Sequence, residues 1–367
     1  MKKPKILIIG ATGKLGTMLL NYCSKSNILV NTITCFSNKK KIKTYAKKYK
    51  TKNDYVLSNE FDKKEFLKLI CHTNFNIIYF LDYGSKSLEL LHTYLQNQSN
   101  SYIAIANKEL IIAGGKLLFS KIKSTNNIFI PLDSEHFSLI NNSLQNDIEK
   151  IYITASGGPF YFNKKLNLNL VSKKQVLSHP KWKMGYNNLI DSSNFINKIL
   201  EIIELSIIYN LDINKIDFLV SPEAYMHSIV LFKNNTISIN CFDNNMLITL
   251  LYPLSFFYKL LPLRKHNQIM NINSFYLEKF KDKRFKIMKY YSNIKHFNHY
   301  NQIQFMLLNN IAQKLYLANK LRYNKIPDFI FKNIDFNNNN ISLNSINSIL
   351  NTIKKSKSNY EKLFKIS

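Results

Sequence analysis

Ile6-Leu7-Ile8-Ile9 runs without interruption into Gly10-Ala11-Thr12-Gly13-Lys14-Leu15-Gly16, and few folds accept that succession. Four apolar β-formers, spaced glycines and then a helical pattern predict a buried strand that turns tightly into a helix. Glycines at such a turn let backbone approach a pyrophosphate, and the helix start supplies amide donors and a favourable dipole. The spacing is GxxGxxG and not GxGxxG, so the segment reads either as a dinucleotide-binding turn or as an ordinary strand-to-helix turn.

The alternation continues. From residue 5 to about 135, short β-type runs at Lys5 to Ile9, Ile28 to Cys35, Asn76 to Leu81, Ser101 to Ala106 and Asn127 to Leu132 alternate with amphipathic helical segments. That order predicts a parallel sheet covered by helices. From 136 to 260 the expected strands are Lys150 to Thr154, Lys215 to Val220, His227 to Phe232 and Thr236 to Cys241, with one long helix from Ser192 to about Tyr209, an α+β region. Leu263 to Lys283 reads as a linker. Beyond it, Asn301 to Leu321, Pro327 to Lys332 and Ser342 to Lys355 carry apolar residues at helical spacing.

Composition limits the function classes. At 367 residues, 46% of them hydrophobic, the chain can fill more than one core, and only 8 Pro and 9 Gly exclude collagen-like or linker-dominated classes. Cys23, Cys35, Cys71 and Cys241 show no CxxC spacing, so neither a zinc knuckle nor a secreted disulfide framework is expected. The nearly uncharged stretch Asn244 to Tyr258 is shorter than the roughly 20 residues of a membrane span and contains Pro253, which predicts a core helix and no membrane partner. After the basic start Met1-Lys2-Lys3-Pro4-Lys5 the apolar run stops at Gly10, so no signal peptide is expected. The net charge of +28 comes with Lys, Asn, Ile and Tyr crowded along the whole chain, as an AT-rich genome would produce. Diffuse lysine of that kind is a solvated face, and nucleic-acid binding is not expected as the main function.

Several segments carry chemistry. After the second expected strand, where an acidic residue would hold an NAD ribose, stands Ser37-Asn38-Lys39-Lys40-Lys41, which suits a 2′-phosphate or expresses the general lysine excess. Asn107-Lys108-Glu109 follows a strand end and reads as an amide, cation and carboxylate at a ligand edge, or as a helix cap. Asp133-Ser134-Glu135-His136 puts two carboxylates beyond another strand end, suited to Mg²⁺ or Mn²⁺, or to capping a helix. Ser156-Gly157-Gly158-Pro159-Phe160 is a phosphate cradle or a plain turn. His179-Pro180-Lys181-Trp182-Lys183-Met184-Gly185 holds the chain's only Trp, as a lid over ligand or as an anchor for the loop. Within the long expected helix, Asn197 and Glu201 share a face four residues apart, with Lys198 adjacent and Ser192 near the helix start.

In this order the motifs resemble 1-deoxy-D-xylulose 5-phosphate reductoisomerase, the NADPH-dependent enzyme of non-mevalonate isoprenoid synthesis. The resemblance runs through Gly10 to Gly16, Ala106 to Glu109, Pro131 to His136, Ser156 to Phe160, His179 to Gly185, Asp191-Ser192, Asn197-Lys198, Glu201 and His227-Ser228. It implies a V-shaped cytoplasmic bacterial homodimer of α/β class. An N-terminal Rossmann-like NADPH domain would span 1–134, a central α+β catalytic and dimerisation domain 135–262, a linker 263–283 and a C-terminal helical bundle 284–367.

The resemblance also implies roles. Asp133, Glu135 and Glu201 would bind the metal, Mg²⁺ or Mn²⁺ with Co²⁺ also fitting. Ser134, Ser156, His179, Ser192, Asn197, Lys198 and Glu201 would meet the sugar phosphate substrate. Lys108, Glu135, His179, Trp182 and His227 would serve catalysis. Gly10, Thr12, Gly13, Lys14, Leu15, Asn38, Asn107, Glu109, Gly185 and Met246 would bind NADPH, with Met246 against the nicotinamide. The implied chemistry is a metal-assisted retro-aldol and aldol rearrangement followed by hydride reduction to 2-C-methyl-D-erythritol 4-phosphate.

The chain also departs from the family pattern. The stretch between Glu135 and Ser156 is short, and Leu81-Asp82-Tyr83 replaces small residues beside the cofactor. Ser221, Glu223 and Ala224 replace a His, Gln and Ser, Leu247 replaces an arginine, and Ser37 stands at a usual lysine. Such drift around a retained centre suits a reduced, AT-rich genome. The competing expectations are another NADP-linked dehydrogenase of the same layout, needing no metal triad, and a degenerate non-catalytic homologue.

Overall fold

The computed structural model describes residues 3–142, 148–179, 185–261, 263, 274–337 and 341–365. In chain order the first half contains β1 (Ile6–Ile9), α1 (Lys14–Lys25), β2 (Thr32–Cys35), α2 (Lys39–Tyr49), β3 (Asn53–Val56), α3 (Glu60–His72), β4 (Ile77–Phe80), α4 (Ser87–Asn97), β5 (Tyr102–Ile105), α5 (Lys108–Ser124), β6 (Ile128–Pro131) and α6 (Ser134–Phe137). The second half contains β7 (Ile148–Ala155), α7 (Lys173–Val176), α8 (Tyr186–Ser193), α9 (Ile196–Ile208), β8 (Ile216–Val220), β9 (Met226–Phe232), β10 (Ile237–Cys241), α10 (Leu247–Ser255), β11 (Glu278–Lys279), α11 (Tyr291–Ile294), α12 (His299–Leu317), α13 (Ile326–Asn333) and α14 (Ile346–Leu363). These form two compact units, Met1–Asn141 with Asp243–Asn271, and Asn142–Phe242 with Ile272–Ser367.

The first unit is an α/β fold with a six-stranded sheet in the order β3-β2-β1-β4-β5-β6, every pairing parallel. This is the doubly wound order, whose reversal beside β1 opens a crevice at the strands' C-terminal ends. β1, β2 and β4 are buried throughout, which explains their unbroken apolar or β-branched character. β3 was not among the expected strands. Its sequence, Asn53-Asp54-Tyr55-Val56, is that of a half-exposed sheet edge, with Asp54 paired to Lys43 at 2.7 Å, so it lacks the apolar run that marks a central strand. The segment 243–271 returns to this unit. Leu250, Leu251 and Leu254 of α10 join its core, and Tyr79 donates its hydroxyl to Leu250 O at 2.9 Å. The expected core helix is therefore α10, with Pro253 inside it.

The second unit holds a mixed sheet, β10-β9-β7-β8-β11, in which only β7 and β8 run parallel. β11 lies inside the stretch read as a linker and adds an edge to β8. The expected helix from Ser192 to Tyr209 is two helices. α8 ends at Ser193, Phe195 adopts a left-handed φ of +66°, and α9 starts at Ile196. Burial compensates for that conformation, since the Phe195 ring sits 4.0 Å from Phe280 and 4.9 Å from Phe285 between ring centroids. Arg284 fixes the chain beyond β7 by donating to Asn163 O at 2.7 Å and to the Asp282 carboxylate. The C-terminal helices pack through Phe297, Phe305 and Phe331. α14 begins four residues later than expected, where Ser345 and Ser348 form a reciprocal cap. Among the described residues no helix is long and apolar enough to cross a membrane.

Candidate active site

In the first unit the turn after β1 can be built only with glycine. Gly10 has φ +83°, and a Cβ there would fall 2.5 Å from Asp82 N, at the end of β4. Gly13 caps α1 without a side-chain hydrogen bond, so the amides of its first turn, beginning with Lys14 and Leu15, suit a pyrophosphate. Lys41 Nζ donates to Thr12 O at 2.8 Å, and the Asn38 side chain caps α2 by accepting from Lys41 N. Asn107 caps α5 and also donates to Gly84 O at 2.9 Å and to Asp82 Oδ1 at 3.2 Å. Asp82 further accepts from Ser87 Oγ, and burial pushes its carboxyl above the usual range. Burial does the same to Glu109, which lies against Gly84 and Tyr83. The departure Leu81-Asp82-Tyr83 is thus accommodated by a polar network knitting the loop after β4 to the start of α5. Met246 immediately precedes α10 and belongs to this unit.

β6 delivers the first unit's carboxylates. Asp133 caps α6 by accepting from Ser134 N at 3.0 Å, and it also takes a hydrogen bond from Lys108 Nζ. Burial works against its charge, yet Lys108 and His136, whose Nδ1 lies 3.5 Å away, hold the Asp133 carboxyl well below the usual carboxylate range. Ser134 donates its hydroxyl to Glu135 Oε2 at 2.5 Å. Two carboxyl groups on one short turn are oxygen donors of the kind a hard divalent cation takes.

The second unit gathers the hydroxyls. Gly158, at φ +59°, would place a Cβ 2.9 Å from Ser192 O, so the loop after β7 lies directly on the end of α8. Ser156 Oγ is 3.2 Å from His179 Nε2. Burial and then the nearby Lys198 charge lower the His179 pKa to about 4, which leaves a neutral imidazole at physiological pH. Asn197 and Lys198, in the first turn of α9, both donate to the buried Glu201, the lysine at 2.5 Å. Ser192 sits in the last turn of α8 and not near a helix start, because of the break at Phe195. Its neighbour Asp191 is buried and held from α12 by Asn309 at 2.9 Å and Gln313 at 2.6 Å. His227, on β9, stacks on Phe242 with centroids 3.9 Å apart, its Nε2 3.2 Å from Phe242 O.

The chain is 34% identical over 349 residues to the 1-deoxy-D-xylulose 5-phosphate reductoisomerase of Pelagibacter ubique, an alignment covering 89% of this chain and 90% of that protein. The chain belongs to the 1-deoxy-D-xylulose 5-phosphate reductoisomerase family. A reductoisomerase from Clostridium novyi is 31% identical over 351 residues, again 89% of this chain and 90% of the relative. The family model for the reductoisomerase C-terminal domain matches residues 129–209. Solved reductoisomerases share the fold. One, in complex with NADPH, fosmidomycin and magnesium, superposes with a TM-score of 0.84 at 20% identity over 99% of this chain and 100% of its own. The Zymomonas mobilis enzyme in complex with NADPH gives 0.83 at 20% identity over the full length of both chains.

Of the positions drawn from the reductoisomerase resemblance, those on the segments following β1, β2, β5 and β6 lie at the C-terminal end of the first unit's sheet, and Ser156, His179 and Lys198 come together in the second. Gly185 caps α8. Trp182 lies outside the described residues. Three neighbours of the candidate site were given no role from sequence: His136, fully buried beside Asp133, and Asn309 and Gln313, which hold Asp191. The amide pair is legible in hindsight, since two polar residues four apart on a helix otherwise apolar on that face need a buried partner.

Proposed function

We propose that this chain is a working reductoisomerase, converting 1-deoxy-D-xylulose 5-phosphate to 2-C-methyl-D-erythritol 4-phosphate with NADPH and a divalent cation, Mg²⁺ or Mn²⁺, with Co²⁺ also fitting. The observation that carries the reading is similarity along nearly the whole chain to a reductoisomerase, with the implied carboxylates, hydroxyls and lysines all retained. Asp133, Glu135 and Glu201 are assigned to the cation, a three-carboxylate oxygen set appropriate to a hard metal, with Lys108 and Lys198 as counter-charges. Gly10, Thr12, Gly13, Lys14, Leu15, Asn38, Asn107, Glu109, Gly185 and Met246 are assigned to NADPH. The N-cap Gly13, which brings no side-chain acceptor to the first turn of α1, and the glycine required at position 10 support that assignment.

When bound, NADPH supplies the hydride and the cation supplies Lewis acidity toward the substrate's carbonyl and hydroxyl oxygens. The protein's own part is to position and neutralise. Lys108 and Ser134 present donors where negative charge develops on substrate oxygen. Ser156, Ser192, Asn197 and Lys198 offer two hydroxyls, an amide and a cation to the substrate phosphate, binding energy that fixes the reacting carbons in place. His179, neutral beside Ser156, adds a hydrogen-bonding group without a competing charge. Trp182, in the sequence between His179 and Gly185, is assigned to excluding water from bound substrate. His227, a buried ring on β9, is assigned to the catalytic set.

By role, 1–134 with 243–271 is assigned to the cofactor, 135–242 to catalysis and dimerisation, 272–283 to a link and 284–367 to a helical support. A cytoplasmic homodimer completes the proposal, and light scattering on the purified protein tests its mass. For activity, NADPH absorbance is followed with purified protein, 1-deoxy-D-xylulose 5-phosphate and Mg²⁺ or Mn²⁺. Oxidation that requires both substrate and metal, and nearly disappears with unphosphorylated 1-deoxyxylulose, is expected. Full activity in a chelator would point to a metal-free dehydrogenase, and no turnover with any of the three cations would point to a degenerate homologue.

A further inference from the structure

The loops leaving β2 and β4 both overhang the glycine turn, because these strands are the two neighbours of β1. Phe36 follows β2 and is 52% exposed, a large ring without a core to fill. Next to it Ser37 is neutral, the Asn38 side chain caps α2, and Lys41 Nζ is tied to Thr12 O. The cation that reaches Phe36 comes from elsewhere. Lys86, fifty positions along the chain at the start of α4, places its Nζ 3.8 Å from the Phe36 ring centroid. Its loop is held on both sides, through Gly84 O to Asn107 and through Ser87 to Asp82.

We propose that Phe36 and Lys86 together clamp the adenosine end of the cofactor, with the ring stacking on adenine and Lys86 supplying the positive charge that selects the 2′-phosphate. This rests on the NADPH reading above and names the chain's own discriminator within it. A flat exposed ring at the sheet's ligand edge suits a flat base. A phosphate dianion offers an ammonium stronger charge-assisted hydrogen bonds than an exposed ring does, so Lys86 turns from the ring toward the phosphate on binding. The charge missing at Ser37 is thereby provided from across the crevice.

Calorimetric titration of the full-length protein with NADPH, NADH and adenosine 2′,5′-bisphosphate tests this without turnover. Lys86→Met is expected to weaken NADPH and the bisphosphate by about tenfold or more while leaving NADH unchanged. Lys86→Arg should retain the preference. Phe36→Ala should weaken NADPH and NADH alike, and Lys48→Met, on the far part of α2, should change neither, which controls for the general loss of a charge. Lys86 is exposed, so its replacement leaves the fold intact. An unaltered NADPH-to-NADH ratio in Lys86→Met overturns the proposal while leaving the cofactor reading standing. A wild-type protein that binds neither dinucleotide overturns both.

Discussion

Replacing Gly10 with alanine puts two separable costs on one backbone position. The first is conformational, because φ is +83°, a region that costs an L-residue about 1–2 kcal/mol. The second is steric. The added methyl would lie 2.5 Å from Asp82 N and 2.7 Å from Asp82 Cα and Leu81 C, against an ordinary carbon contact of about 3.5–4.0 Å. What it meets is backbone, which cannot rotate away, so the chain just beyond β4 must shift by about 1 Å, at a cost of roughly 1–3 kcal/mol. The sum, about 2–5 kcal/mol, is a large share of the roughly 5–15 kcal/mol that holds a typical domain together. Gly84 supplies the control, with φ +89° and nothing within 4 Å of the equivalent Cβ, so Gly84→Ala carries only the conformational cost of about 1–2 kcal/mol. Urea denaturation followed by circular dichroism should place Gly10→Ala below Gly84→Ala by the steric difference, and NADPH affinity should fall in Gly10→Ala. Equal stability of the two variants would refute the argument that the backbone of Leu81 and Asp82 presses on the turn.

Glu201→Gln keeps size and loses charge, and should lower kcat/KM by roughly 10²-fold or more with a higher Mg²⁺ requirement; unchanged activity and metal dependence would remove Glu201 from the cation set. Gln313→Leu deletes one of the two α12 donors to the buried Asp191 carboxylate, which should cost about 1–3 kcal/mol in urea denaturation and raise KM for substrate through the adjoining Ser192. An undisturbed KM would show that Asp191 does not position that serine. His179 has a folded-state pKa of about 4, below its usual 6.5, so between those values the unfolded chain binds more protons than the folded one and stability rises with pH. Wild type should therefore lose stability relative to His179→Gln as pH falls from about 6.5 toward 4, and parallel curves would refute it.

The sequence alone carried the Rossmann-like half of the molecule. A strand buried on both faces has to be apolar throughout, and a turn against neighbouring backbone has to be glycine, so Ile6 to Gly16 could be read without coordinates. The candidate residue types were also legible, since a phosphate needs donors and a hard cation needs carboxylates whatever the fold; their assignment to cofactor, substrate and metal is the proposal made above. Local pattern failed where the deciding contact was distant. β3 is polar because it is an edge, and the break between α8 and α9 has no local signal such as Gly or Pro. Phe195 holds its left-handed φ because Phe280 and Phe285, some 85 residues downstream, surround its ring. Likewise the return of 243–271 to the first unit depends on α10 burying its leucines there. Only the tertiary structure could bring Lys86 to Phe36 or Gln313 to Asp191, because burial and charge pairing act through space, and sequence separation sets only the entropy of closing the loop.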